Sequence, residues 1–88
     1  MNAIAGAGVL FSHGEEIPVA YDFVQCSRHS RYEAEGEIFG DTNALRTAYR
    51  SGACDLLLED GQLTKLFLVS CPLTGAAAVR ITSPVRWA

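Results

Sequence analysis

Apolar residues occur along the chain in short stretches, several of which alternate with polar residues, and clusters of turn-forming residues separate them. Residues 4–11 form an apolar run that ends at a turn sequence around His13 and Gly14. Residues 16–25 and 32–38 alternate with a period of two, which predicts strands because successive side chains of a strand point to opposite faces. Pro18 places the beginning of the second strand at a sheet edge or just outside the pairing, since proline cannot donate to the ladder.

Residues 41–52 follow a different period and predict one short helix. Four apolar residues recur there at helical spacing: Ala44, Leu45, Ala48 and Tyr49. Asp41 or Thr42 is the candidate N-cap, and Gly52 follows the last helical residue. We expect the apolar face of this helix to cover the sheet.

The last part of the chain predicts three more strands. Residues 54–59 and 63–71 flank Asp60-Gly61, a dipeptide that favours the positive φ angles of a two-residue hairpin turn. Residues 56–58 and 66–69 are continuously apolar, which predicts burial on both faces of these strands. Residues 76–82 form the sixth strand, which Pro84 ends.

These elements give a mainly β protein with the order βββαβββ and a single domain over residues 1–88. We expect a small six-stranded antiparallel barrel or a two-sheet sandwich, with the helix closing one end. The alternative is an open antiparallel sheet with the helix on one face, an α+β arrangement. A chain of 88 residues has a radius of gyration of about 12 Å when folded, and so small a core makes self-association a natural source of added stability.

The composition excludes several classes of protein. Hydrophobic residues make up 49% of the chain and charged residues 19%, so we expect no disorder. The longest apolar run, Ala3 to Phe11, is far shorter than the roughly 20 residues of a membrane span. It lacks the flanks of a signal peptide, and we therefore expect a cytoplasmic protein with no membrane partner.

The net charge and the cysteines narrow the picture further. A net charge of −3 with seven basic residues argues against a nucleic-acid partner. Three cysteines, an odd number, indicate reduced and mostly buried thiols rather than disulfides. A single lysine among abundant arginine and alanine is typical of a bacterial protein.

The polar loop over residues 26–31 contains the strongest candidate site. Arg28 and Arg31 flank His29, and such a cluster can hold a phosphate through charge-assisted hydrogen bonds. Tyr32 follows directly, where its ring can stack on a ligand. These four residues predict an anion or small-molecule site, provided that their side chains converge on one pocket.

Two groups of potential metal ligands are weaker candidates. Cys26 and His29 have the spacing of half a zinc site, but Cys54 and Cys71 lie singly among apolar residues, so we expect no metal. The alternating glutamates of the third strand lie roughly 6.6–7 Å apart, too far for two of them to chelate one ion. We expect a solvated face made of Glu33, Glu35 and Glu37.

No pattern of nucleophile, base and orienting group predicts catalysis, and no cofactor is expected. The glycines of Gly6-Ala7-Gly8 precede no helix, so we interpret them as a bulge or a close backbone contact rather than a dinucleotide fingerprint.

Two hypotheses of function follow. The first is a non-catalytic domain that acts through protein contacts, including contacts with a second copy of itself. Its interface would be an open sheet edge, the helix or the C-terminal pair Arg86 and Trp87, since tryptophan and arginine are frequent interface anchors. The alternative is a small-molecule or anion-binding module that uses Arg28, His29 and Arg31.

Overall fold

The computed structural model describes residues 2–87, which form six strands and one helix in the predicted order. The elements are β1 (Ala3–Ser12), β2 (Glu15–Gln25), β3 (Ala34–Phe39), α1 (Thr42–Ser51), β4 (Cys54–Leu57), β5 (Leu63–Leu68) and β6 (Ala76–Ile81). Antiparallel pairing joins the strands into a closed barrel in the order β1-β2-β3-β6-β5-β4. The barrel is therefore the correct one of the architectures that the sequence left open, and the Cα radius of gyration is 11.8 Å.

The alternation of side chains supplies the interior of the barrel. Every strand directs one set of apolar residues inward, and the largest fully buried side chains are Leu10, Phe23, Ile38, Leu45, Leu56, Leu66, Val79 and Ile81. The predicted burial of β4 and β5 on both faces is wrong, because a barrel with no second layer leaves its outer face to solvent. Leu57 and Phe67 are half-buried on that outer face, and Val69 is 45% exposed.

Helix α1 closes the end of the barrel at which β3 ends and β4 begins. The carboxylate of Asp41 accepts a hydrogen bond from the backbone N–H of Ala44 at 2.9 Å, so Asp41 is the N-cap. Gly52 ends the helix with a φ of 83°, a left-handed angle that glycine adopts without strain. Leu45 and Ala48 are buried, as the helical spacing predicted, but Tyr49, expected on the same apolar face, is 39% exposed.

The two hairpin turns differ from the prediction in one respect. His13 and Gly14 have positive φ angles of 50° and 78°, which makes the β1–β2 connection a two-residue turn. The predicted two-residue turn at Asp60-Gly61 is wrong. Leu58 N–H donates to the carbonyl of Gln62 at 2.8 Å and Gly61 N–H donates to the carbonyl of Leu58 at 3.0 Å, which encloses a three-residue loop. Gly61 occupies the left-handed position that such loops require.

Pro18 lies where the sequence predicted. It pairs with Val9 of β1, whereas β3 pairs with β2 only from Ala20 to Gln25. The side of Pro18 that faces away from β1 therefore needs no backbone donor.

The barrel closes through a short contact between β1 and β4, which we call the closing seam. Ten residue pairs join β1 to β2, but only three pairs, from Val9 to Phe11, join β1 to β4. Continuing this register would pair Ala7 with Glu59. Instead, Glu59 N–H donates to the hydroxyl of Tyr21 at 3.0 Å, and Ala7 N–H donates to the carboxylate of Glu59 at 3.1 Å.

Two glycines of β1 make room for the tyrosine ring at the closing seam. A Cβ atom on Gly6 would lie 2.9 Å from the hydroxyl oxygen of Tyr21, and one on Gly8 would overlap the backbone carbonyl of Leu57. The predicted close backbone contact is confirmed at Gly8, whereas the close neighbour of Gly6 is the side chain of Tyr21.

We predict that Tyr21→Phe destabilises the protein by about 1 kcal/mol, because the phenol oxygen is the hydrogen-bond acceptor for Glu59 N–H. Urea unfolding measures the change. Tyr49→Phe is the matched control, since Tyr49 is exposed on α1. Equal stability of the two variants would show that the tyrosine hydroxyl does not hold the seam.

Candidate functional site

A cleft of about 550 Å³ opens at the end of the barrel opposite α1. Its walls are the β2–β3 loop, residues 26–33, and the beginning of the C-terminal segment, residues 82–87. We call it the basic cleft because both arginines of the loop, Arg28 and Arg31, line it.

Two serines fix the conformation of the β2–β3 loop. The Ser27 hydroxyl accepts a hydrogen bond from the N–H of His29 at 3.1 Å, and the Ser30 hydroxyl accepts one from the N–H of Tyr32 at 3.1 Å. Backbone hydrogen bonds from Cys26 to Glu33 and from Glu33 to Ile81 tie the loop to the barrel at 3.0 and 2.9 Å. The loop is thus held from within by its own side chains.

The structure brings together three of the four residues predicted for a ligand site. Arg28, Arg31 and Tyr32 line the basic cleft, whereas His29 is exposed and does not line it. Within residues 2–87 no carboxylate lies within 4.0 Å of either arginine, since the ion pair found there joins Lys65 and Asp55. Among the described residues, neither guanidinium group therefore has a direct anionic partner.

Tyr32 lies outside the alternation that the sequence predicted for it. The loop continues to Glu33, so β3 begins only at Ala34 and the tyrosine ring lies on the outside of the barrel. There the ring meets Phe67 edge to face, with centroids 5.8 Å apart, and the guanidinium of Arg80 lies 4.9 Å from its centroid.

Glu33 also departs from the predicted solvated face of three glutamates. Glu35 and Glu37 are exposed, but Glu33 is half-buried beneath the C-terminal segment. Its carboxylate accepts hydrogen bonds from the backbone N–H of Val85 at 3.1 Å and from the indole N–H of Trp87 at 3.0 Å. Glu33 and Trp87 are 54 residues apart, so no local sequence pattern indicated this hydrogen bond.

The two C-terminal residues predicted as an interface anchor lie against the same end of the barrel. Gln62 binds the backbone of Arg86 in both directions, accepting from its N–H at 2.7 Å and donating to its carbonyl at 3.1 Å. Trp87 is half-buried, and the side chain of Arg86 is exposed.

A second candidate site lies along β1, on the N-terminal side of the closing seam. Asn2 accepts a hydrogen bond from Gln25 N–H, so the even-numbered residues of β1 bond to β2 and the odd-numbered ones face the opposite edge. On that edge Val9 and Phe11 pair with β4, and Ala7 N–H binds Glu59. The N–H and C=O groups of Ala3 and Ala5 have no partner there among the residues that the structure describes. We call Ala3 and Ala5 the free edge.

A cleft of about 420 Å³ runs beside the free edge, between it and the β4–β5 turn. Ile4, Tyr21 and Leu58 give it apolar walls, and Glu59 and Asp60 add carboxylates. Hydrogen bonds from the side chain and backbone of Gln62, with the nearby Arg86 charge, hold the pKa of Asp60 below its ordinary value of 3.8. The large apolar side chains of this edge cleft are thus buried or half-buried, whereas Glu59 and Asp60 are exposed.

The cysteines give no support for a metal site. Across residues 2–87 no three His, Cys, Asp or Glu side chains are placed to share an ion. Cys54 is buried, and its sulfur lies 3.7 and 3.6 Å from the carbonyl oxygens of Ala48 and Gly52, either of which can accept its one hydrogen. Cys26 and Cys71 are half-buried, unpaired thiols.

None of the helical residues described here forms a helix long and apolar enough to cross a membrane. Comparison of the chain with protein-family models, curated proteins and solved structures finds no match. The two clefts are therefore the basis for assigning a function.

We predict that Glu33→Ala releases the C-terminal segment and lowers stability by about 1–3 kcal/mol, because it removes the acceptor of two N–H groups. The protein has one tryptophan, so its fluorescence reports the change directly. We expect red-shifted emission and stronger quenching by acrylamide. Glu37→Ala removes an exposed glutamate of β3 and is the control. Unchanged quenching in Glu33→Ala would contradict the role of Glu33.

Proposed function

We propose that this protein is a non-catalytic protein-interaction module that receives an extended segment of a partner protein as an added strand along the free edge. The observation that carries the proposal is that the N–H and C=O groups of Ala3 and Ala5 have no partner among residues 2–87 and lie beside a cleft of about 420 Å³. Strand addition combines main-chain hydrogen bonds, which supply affinity, with pockets for alternate side chains, which supply specificity.

The geometry of the free edge suits an incoming strand. Ala3, Ala5 and Ala7 are exposed and carry small side chains, so another backbone can approach closely. Neither proline nor lysine, two common protections of a strand edge, occurs between Ala3 and Ser12. A side chain of the incoming strand that points toward the barrel would meet Ile4 and Leu58 in the edge cleft.

Charge favours a partner other than a second copy of the chain. Glu59 and Asp60 line the edge cleft, and β1 of a second copy carries no lysine or arginine to complement them. A segment that carries lysine or arginine beside an apolar residue would instead complement them. We therefore propose an extended basic and apolar segment as the occupant.

The free thiols of Cys26, Cys54 and Cys71 support a reducing compartment for this interaction. Together with the arginine- and alanine-rich composition, they lead us to propose the cytoplasm of a bacterium as its location.

The proposal is tested with a seven-residue synthetic peptide of alternating valine and lysine, titrated into the isotopically labelled protein. We expect the amide signals of Ala3 and Ala5 to shift and to become protected from exchange. Ala5→Pro removes an N–H that faces the free edge and not β2, so it should weaken peptide binding about tenfold or more. Ala5→Val keeps this N–H and is the matched control.

A second variant tests the contribution of charge to peptide binding and does not alter β1. Asp60→Lys should weaken binding of the lysine peptide, and a peptide of alternating valine and glutamate should bind the unmodified protein more weakly. Equal binding by Ala5→Pro and Ala5→Val, with both folded, would refute strand addition. Shifts at Ala3 and Ala5 that depend on protein concentration without peptide would show that the occupant is a second copy, and would refute our choice of partner.

A further inference from the structure

The basic cleft lies apart from the free edge and is not used by the proposed interaction. Arg28 and Arg31 both line it, and within residues 2–87 neither has a carboxylate within 4.0 Å. Two guanidinium groups beside one cleft of about 550 Å³ provide positive charge and many N–H donors. We propose that the basic cleft binds a small phosphate ester, with its phosphate group held by the β2–β3 loop.

The hydroxyl groups of the loop match a ligand that accepts hydrogen bonds. Ser27 and Ser30 both line the basic cleft, and the oxygen of each already accepts a backbone N–H, from His29 and Tyr32 respectively. Each hydroxyl still has its hydrogen to donate. The loop therefore offers donors from two serines in addition to its two arginines, a combination that suits phosphate oxygens.

Tyr32 gives the basic cleft an aromatic wall whose position is fixed from outside. Phe67 meets the ring edge to face at 5.8 Å, and Arg80 lies 4.9 Å from its centroid. Neither Phe67 nor Arg80 lines the basic cleft, whereas Tyr32 does. A ring held in this way favours a phosphate ester with an aromatic or apolar group over free phosphate.

One acidic residue, Glu33, also lines the basic cleft. Its carboxylate oxygen Oε2 already accepts the N–H groups of Val85 and Trp87. These two donors offset part of its negative charge. The volume of about 550 Å³ lies within the roughly 300–1,000 Å³ of small-molecule sites.

Calorimetric titration with phenyl phosphate, inorganic phosphate and phenol tests the proposal. We expect phenyl phosphate to bind most tightly, inorganic phosphate more weakly and phenol not measurably. Arg28→Ala and Arg31→Ala should each weaken phenyl phosphate binding about tenfold or more, because each removes charge-assisted hydrogen bonds. Arg50→Ala is the matched control, since Arg50 is exposed in the last turn of α1 at the other end of the barrel.

Three results would overturn the proposal: no binding of either phosphate compound, stronger binding of phenol than of inorganic phosphate, or an equal loss in Arg50→Ala. The last would show diffuse attraction by the whole surface. Tyr32→Leu should lower the affinity for phenyl phosphate to that for inorganic phosphate, and an unchanged affinity would refute the aromatic wall. Ala5→Pro should leave phosphate binding intact, so failure of either proposed site is visible independently of the other.

Discussion

At the closing seam, side-chain hydrogen bonds take the place of one β1–β4 residue pair. Both the closure of the barrel and the free edge depend on them. The Tyr21 ring crosses from β2 beneath Gly6 and Gly8, and its hydroxyl takes the N–H of Glu59 that a longer ladder would give to β1. The carboxylate of Glu59 in turn takes the N–H of Ala7. These side-chain hydrogen bonds complete the barrel and end the β1–β4 ladder. The Tyr21 ring thereby fills part of the core, and Ala3 and Ala5 are left without a strand partner among the described residues. Closure and the free edge thus have one cause.

Periodicity predicted the fold well because each element is encoded by neighbouring residues. The two-residue period predicts β2 and β3. Asp41 and Gly52 mark the beginning and the end of α1 through local hydrogen bonds. Prediction failed where a distant partner decides the conformation. Glu33 belongs to the predicted solvent-exposed face. It is half-buried instead, because it accepts a hydrogen bond from Trp87, which lies 54 residues further along the chain. Tyr32 lies outside the barrel with Phe67 and Arg80, contacts that no local pattern contains.

The two candidate sites were predictable to different degrees for the same reason. Arg28, Arg31 and Tyr32 lie within five consecutive residues, so their composition alone indicated a ligand site, and the loop serines hold them at one cleft. The free edge depends on Tyr21 and Glu59, which are 38 residues apart. The sequence suggested an open sheet edge in general, whereas in the closed barrel the edge beside a cleft is the part of β1 that the seam does not reach.

The two ends of the barrel are closed by different means, and this explains where both clefts occur. At one end α1 covers the core with Leu45 and Ala48. At the other end, where the described residues form no helix, side-chain hydrogen bonds hold the loop, the β4–β5 turn and the C-terminal segment together. Gln62 binds Arg86, and Ser83 binds both Thr64 and the backbone of Lys65 at 2.7 and 2.8 Å. Such links join chain segments at single points rather than along a continuous ladder. Spaces therefore remain between the joined segments, and the basic cleft and the edge cleft are two of these spaces.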